Sequence, residues 1–369
     1  MDRTPPDSAA RRPDVADRPL SPALAHHRLD WVDVAKGFCI IMVVTMHSTL
    51  GVEKAAGATS WMGALVEFAR PFRMPDFFLI SGLFLSRVID RDWRTFLDRR
   101  VVHFLYFYLL WLTIQFGFKG PGMVMDEGVA ALLRAYVLAI FVEPFGTLWF
   151  IWMLPVFAVV VRLTRKVPVP VMLLVGAALE IAPIMTGHVA IDEFCERFVY
   201  FYAGYALARG VFGAARWTGG HRSPALVGLA LWALVNFAAV ASGWSTVPGL
   251  SLALGVAGAL AVIATATLLV DIPRVGRALR FLGEHSIVVY LAFFLPMAAM
   301  RTALLKTGII PDLGLVSLIT TVFAVVVPLV IWWMSLRLGW NFLFERPAWA
   351  HLGGRRPGKR PAVIAEPTG

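Results

Sequence analysis

Charge is scarce in this chain. Asp, Glu, Lys and Arg together make up 16% of 369 residues, against about 25% in a typical soluble domain. Cysteine is scarcer: Cys39 and Cys195 are the only two, both in or beside apolar stretches. Nothing in that count or placement implies a disulfide framework or a zinc site. The chain also lacks a G-x-S-x-G elbow, an H-E-x-x-H pair, a phosphate-loop signature and a repeat at a solenoid period. Residues 1–28 mix Pro, Asp and Arg without the apolar core of about 7–15 residues that a secretory signal needs. The scarcity of charge, with 58% of the residues hydrophobic, excludes a soluble enzyme, a disordered chain and a fibrous protein.

What is abundant is apolar sequence: 58% hydrophobic residues and a mean hydropathy of +0.71. Runs long enough to span a bilayer lie near 32–50, 72–88, 101–118, 147–162, 168–185, 195–212, 224–242, 250–270, 286–304 and 313–336. The segment 129–142 is apolar but short and carries Arg134, which predicts an interfacial or re-entrant helix. The expected fold is an all-α membrane protein, a single bundle of about ten transmembrane helices over residues 29–344. Residues 1–28 and 345–369 are expected to be solvated cytoplasmic tails.

The net charge of +10 would suggest nucleic acid in a soluble protein. Here its distribution argues for membrane topology instead. Of 34 Lys and Arg residues, 25 fall in the tails and alternate loops that ten spans assign to one side. Eight fall on the other side, and Lys36 lies within the first span. The positive-inside rule then predicts both termini in the cytoplasm, and an eleventh span would destroy the asymmetry.

Ionisable groups at membrane depth are expensive and usually face a bundle interior or a wet cavity. Three clusters stand out. Asp33, Lys36 and His47 lie on the first span. Lys36 and His47 are eleven positions apart, within about 20° of three full turns and roughly 16 Å along the axis. Both therefore share one face, Lys36 toward the cytoplasm and His47 toward the exterior. Arg70, Arg73 and Asp76 recur at i, i+3 and i+6, which predicts one stripe converging on His47. Glu284, His285, Ser286 and Tyr290 form the third cluster, at the inner end of the ninth span. Each residue alone also has a plainer reading. Lys36 could snorkel to the interface, Arg70 and Arg73 could bind lipid phosphates, and His47 could be a satisfied interior histidine. His103, Glu180, His188, His221 and Asn236 have no partner at readable spacing.

At these residues the sequence resembles the acyltransferase 3 family of polytopic membrane acyltransferases. LDWVDVAKGFCIIMVVTMHS resembles the family's opening helix, in which a basic residue precedes a histidine by ten intervening positions; Lys36 and His47 fit. RPFRMPDFFLISGLFL resembles its paired-arginine stretch, with Arg70, Arg73, Ser81 and Gly82 in place. FLDRRVVHFLYFYLLW, TLWFIWMLPVF and FLGEHSIVVYL resemble its basic loop and third helix, its Leu-Trp-Phe span and its late segment. One departure is that no histidine follows Tyr290-Leu291.

The resemblance implies transfer of an acyl group, commonly acetyl, from acyl-CoA to a hydroxyl of an extracytoplasmic carbohydrate or related acceptor in a bacterial-type inner membrane. It implies polysaccharide modification by O-acetylation, with membrane lipids around the protein and no bound cofactor, metal or nucleic acid. The residues suit such chemistry. His47 can serve as base, Lys36 and Arg73 supply positive charge, and Arg70, Asp33, Asp76, Ser81, Glu284, Ser286 and Tyr290 are candidates for substrate contact. A transporter or flippase of a glycan or lipid-linked precursor is the alternative, because charges lining a bundle suit a substrate pathway equally well. A membrane sensor or scaffold whose charges only pack helices is a third.

Overall fold

The computed structural model describes residues 22–352, so the expected tails lie largely outside the described residues. Within them the chain is helical, with no strand. Six stretches are long and apolar enough to cross a membrane: Asp30–Ala56, Trp93–Glu127, Val129–Leu163, Arg222–Ala241, Leu250–Leu269 and Leu313–Leu338. A seventh is the pair Ser286–Ala292 and Phe294–Thr307, bent by 55°. The other three expected runs, near 72–88, 168–185 and 195–212, are carried by shorter or more charged helices.

In chain order, the elements that build the site are α1 (Pro22–Ala56), α2 (Trp61–Ala69), α3 (Arg73–Gly82), α4 (Ser86–Ile89) and α5 (Trp93–Leu97). They continue with α6 (His103–Glu127), α7 (Val129–Phe141), α8 (Trp149–Leu163), α9 (Val169–Ile181) and α10 (Val189–Ala206). α11 (Ala208–Gly220), α12 (Arg222–Ala241), α13 (Leu250–Leu269), α14 (Pro273–Glu284), α15 (Ser286–Ala292), α16 (Phe294–Thr307) and α17 (Leu313–Leu338) complete the bundle. α1 is the central post, packed against α14, α17 and α13, while α10 packs against α3, α9 and α8.

Two glycine pairs weld these contacts. Gly37 of α1 faces the Leu279 carbonyl of α14, and Gly283 of α14 faces the Asp33 carbonyl of α1. Gly82 of α3 faces the Phe201 carbonyl of α10, and Gly204 of α10 faces the Leu79 carbonyl of α3. A Cβ at any of the four would collide with the opposing backbone. Such close crossings suit helices in lipid, where packing rather than water exclusion drives association.

Proline explains the interruptions. Pro71 cannot continue α2, so the chain turns through residues 70–72 before α3 begins; Pro75 then sits in the first turn of α3, where no donor is needed. The expected single stripe of Arg70, Arg73 and Asp76 is therefore broken: Arg70 ends α2 and Arg73 opens α3. Pro144 follows the end of α7, and Pro296 removes the bond that Ala292 would accept, which bends α15 away from α16.

The segment 129–142, expected as an interfacial or re-entrant helix, carries the separate helix α7, which together with α8 makes up the apolar run Val129–Leu163. α7 lies along α6, with Tyr136 and Thr113 hydroxyls 2.8 Å apart and the Tyr108 hydroxyl donating to the Ala139 carbonyl. The chain then re-enters helix at Gly146, whose φ of +57° permits the turn. Residues 345–352, in the segment expected to be a solvated tail, lie against α5 and the turn after it. Arg346 donates to the Asp98 carbonyl and carboxylate at 2.7 Å each, and the Leu352 N–H donates to Asp98 at 2.8 Å.

Candidate active site

Two cavities lie inside the bundle. The larger, about 310 Å³, has Lys36, Arg100, Ser81, Glu284 and Ser286 on its polar side and Phe104, Ile151, Leu154 and Ala158 among its apolar walls. The smaller, about 170 Å³, gathers His47, Arg73, Thr147, Trp149, Glu193 and Arg197. Phe77, Phe150 and Tyr290 line both, so these aromatics form the partition between them.

α1 contributes to both cavities, with Lys36 and Cys39 in the larger and Val43, Met46 and His47 in the smaller. Its straight run carries Lys36 into the larger and His47 into the smaller, as the shared-face spacing predicts. Lys36 donates to Asp33 at 3.0 Å, with 34% and 26% of the two side chains exposed. The Asp33 carboxylate is thus engaged with its neighbour. The His47 ring lies beside Phe293, with centroids 5.5 Å apart.

Breaking the helix at Pro71 separates the two arginines in surroundings as well as in position. Arg70 pairs with Glu67 at 3.1 Å and donates to the Ser245 hydroxyl at 3.2 Å, and it lines neither cavity. Arg73 is 8% exposed, donates to the Val66 carbonyl at 3.2 Å and leaves Nε without a partner. An under-satisfied guanidinium beside an imidazole is a group prepared to receive an anionic oxygen.

Asp76 is buried with no hydrogen-bond partner on either oxygen and lines neither cavity. Ser81 donates to the Phe77 carbonyl at 2.7 Å on the wall of the larger cavity. The Tyr290 hydroxyl donates to the Thr147 carbonyl, tying α15 to the turn before α8. That turn is a short 3-10 segment, Gly146–Leu148, preceded by the non-helical residues 142–145. Its tolerance follows from its place: irregular backbone at membrane depth survives where it is buried in protein or lines a cavity. His285 lines neither cavity. Its ring lies 4.3 Å from the Trp332 ring, and Nδ1 is 2.8 Å from the Phe281 carbonyl.

Three cavity residues were not singled out from the sequence. Arg100 lies in a π-helical turn, residues 98–102, and donates to the Phe84 carbonyl at 2.7 Å. π turns redirect side chains and recur at functional sites. Glu193 and Arg197, on the first turns of α10, pair at 3.1 Å. The readable signal was their spacing of four at the edge of an apolar run.

The arrangement offers a titratable imidazole and an under-satisfied guanidinium in one chamber. A second chamber with cations at its polar side lies behind an aromatic partition. Sequence comparison is consistent with it. A stretch of 83 residues is 35% identical to the inner membrane protein YcfT of Escherichia coli (strain K12). It covers 19% of this chain and 23% of that protein, so the chain spans less than a quarter of the relative's length. No solved structure matches the chain. The acyltransferase domain model of the acyltransferase 3 family matches residues 29–337, nearly all of the helical bundle, and the chain therefore belongs to that family of membrane acyltransferases.

Proposed function

We propose that this membrane acyltransferase moves an acyl group, acetyl in the simplest case, from acyl-CoA to a hydroxyl of an extracytoplasmic carbohydrate, with His47 as general base. In this reading ten spans place both termini in the cytoplasm, supported by the concentration of Lys and Arg on that side. The larger cavity then faces the cytoplasm and receives the donor. Lys36 and Arg100 meet its phosphates and the apolar walls hold the acyl-bearing arm. The smaller cavity faces outward and receives the acceptor.

The single observation that carries the reading is that two cavities, one cationic at its polar side and one holding His47 with Arg73, share a wall of Phe77, Phe150 and Tyr290. Donor and acceptor approach from opposite sides and meet there. The acceptor oxygen attacks the thioester carbonyl carbon while His47 takes its proton. The carbonyl electron pair moves onto oxygen, where Arg73 offsets the charge. Collapse restores the carbonyl, breaks the C–S bond, and the departing thiolate takes the proton from His47. A positioned imidazole contributes about 10²–10⁴-fold to such a step.

The test is thiol release. Purified protein given acetyl-CoA should liberate free coenzyme A thiol when an acceptor glycan is added, whereas a transporter or scaffold would leave the thioester intact. Reporter fusions should read external after Gly122 and Thr246 and cytoplasmic after Arg222. The opposite pattern at any of the three would break the topology.

A further inference from the structure

The Glu193–Arg197 pair has no evident structural task. α10 is held in the bundle by its aromatic residues Phe198 and Phe201 against Phe157 and by the Gly204 crossing with α3. The ion pair lies a turn or more away from that crossing, with side chains 25% and 21% exposed, and both residues open onto the His47 cavity. A partly exposed ion pair contributes little to stability by itself, so packing alone does not account for this one. A pair kept there and turned to a cavity has a ligand to meet.

Its chemistry narrows that ligand. Arg197 Nε meets Glu193 at 3.1 Å and Nη2 meets Glu196 at 2.6 Å. Two carboxylates therefore already neutralise this guanidinium, so an anionic acceptor gains little from it, and Arg73, the remaining cation, is assigned to the oxyanion of the transfer step. A cationic amine would face Arg73 in the same cavity. A pair of neighbouring hydroxyls suits both halves: one O–H donates to the Glu193 carboxylate, and the adjacent oxygen accepts from Arg197. Trp149 supplies an aromatic wall for the apolar face of a ring. Building on the acyltransferase reading, we infer that Glu193 and Arg197 are the acceptor-recognition residues and that the acceptor is an uncharged sugar ring presenting adjacent hydroxyls.

The test uses the full-length protein in lipid nanodiscs, radiolabelled acetyl-CoA and three soluble probes: methyl glucoside, methyl glucuronide and methyl glucosaminide. Transfer to the neutral glucoside should be fastest. Loss of one charge-assisted hydrogen bond in Glu193→Gln should raise the KM for methyl glucoside about 10- to 100-fold. The donor KM should stay as in the wild type, a split that a merely structural role would not produce. Arg197→Lys keeps the charge but loses the fork, and should raise the acceptor KM by less. Equal or faster transfer to the glucuronide or glucosaminide overturns the inference without any variant having to fold. So does an unchanged acceptor KM in Glu193→Gln, or hydrolysis of acetyl-CoA with no transfer to any probe. Absence of any donor turnover, by contrast, defeats the acyltransferase reading itself.

Discussion

The two cavities differ in size, lining and construction. The Lys36 cavity is the larger and mostly apolar, and it is bounded by the welded crossing of α1 on α14, where Gly37 and Gly283 bring backbones together. The His47 cavity is smaller and more polar in its lining, and helix starts contribute to it: Arg73 opens α3, and Thr147 and Trp149 lie where the chain re-enters helix at Gly146. An unbroken helix presents every side chain at fixed rotation and satisfies its own backbone. A broken one frees side chains and carbonyls to point inward. The larger cavity also meets helix ends, at the π turn that carries Arg100 and at the break between Glu284 and Ser286, so the two chambers differ in how much of their lining long helices supply.

If the welded crossings are rigid supports, the largest effect comes from a side chain placed there. Gly283→Val or Gly82→Val drives Cβ into an opposing carbonyl, and over-packing of this kind costs about 1–3 kcal/mol or more. The folded, monodisperse fraction in detergent should fall sharply. Gly228→Val, with open space around it, should remain folded. Equal behaviour of the two would remove the distinction between welded and free helix faces.

The next effect sharpens the division of labour. Arg73→Ala removes the guanidinium beside His47, and transfer should fall about 10- to 100-fold. Arg73→Lys should recover only part of that loss, because the planar fork is gone. Arg70→Ala, outside both cavities, should change transfer little, and a loss equal to that of Arg73→Ala would restore the unbroken stripe. Smaller again are Lys36→Ala and Arg100→Ala. Each should raise the donor KM by about tenfold, the worth of one charge-assisted contact, with the acceptor KM unchanged. A rise in acceptor KM instead would mean that the two cavities had been assigned the wrong way round.

Much of this was legible in the sequence wherever a regular period governs. The Lys36–His47 spacing is a property of one uninterrupted helix, so eleven positions put both residues on one face without knowledge of their neighbours. The arginine pair failed where the period failed: Pro71 between them was the visible warning. Arg100 sits just before the apolar run near 101 and Arg197 just inside the one near 195, so both fall at the margin where loop and span meet. α10 in fact starts at Val189 and the π turn precedes α6. Charge at the margin of a run is ambiguous by composition, and only the folded neighbours decide whether it meets water or a cavity. The joining of 129–142 to α8 depended likewise on a glycine turn and on packing against α6, neither of which hydropathy records.

The most direct test is the transfer rate of His47→Ala at matched membrane levels, measured together with its affinity for acetyl-CoA and compared with His285→Ala. His47 lines the smaller cavity, while His285 lines neither. The account predicts that His47→Ala binds donor as the wild type does yet loses about 10²–10⁴-fold in transfer, and that His285→Ala keeps most of its activity. Wild-type transfer by a folded His47→Ala protein, or loss of donor binding in step with transfer, would contradict it.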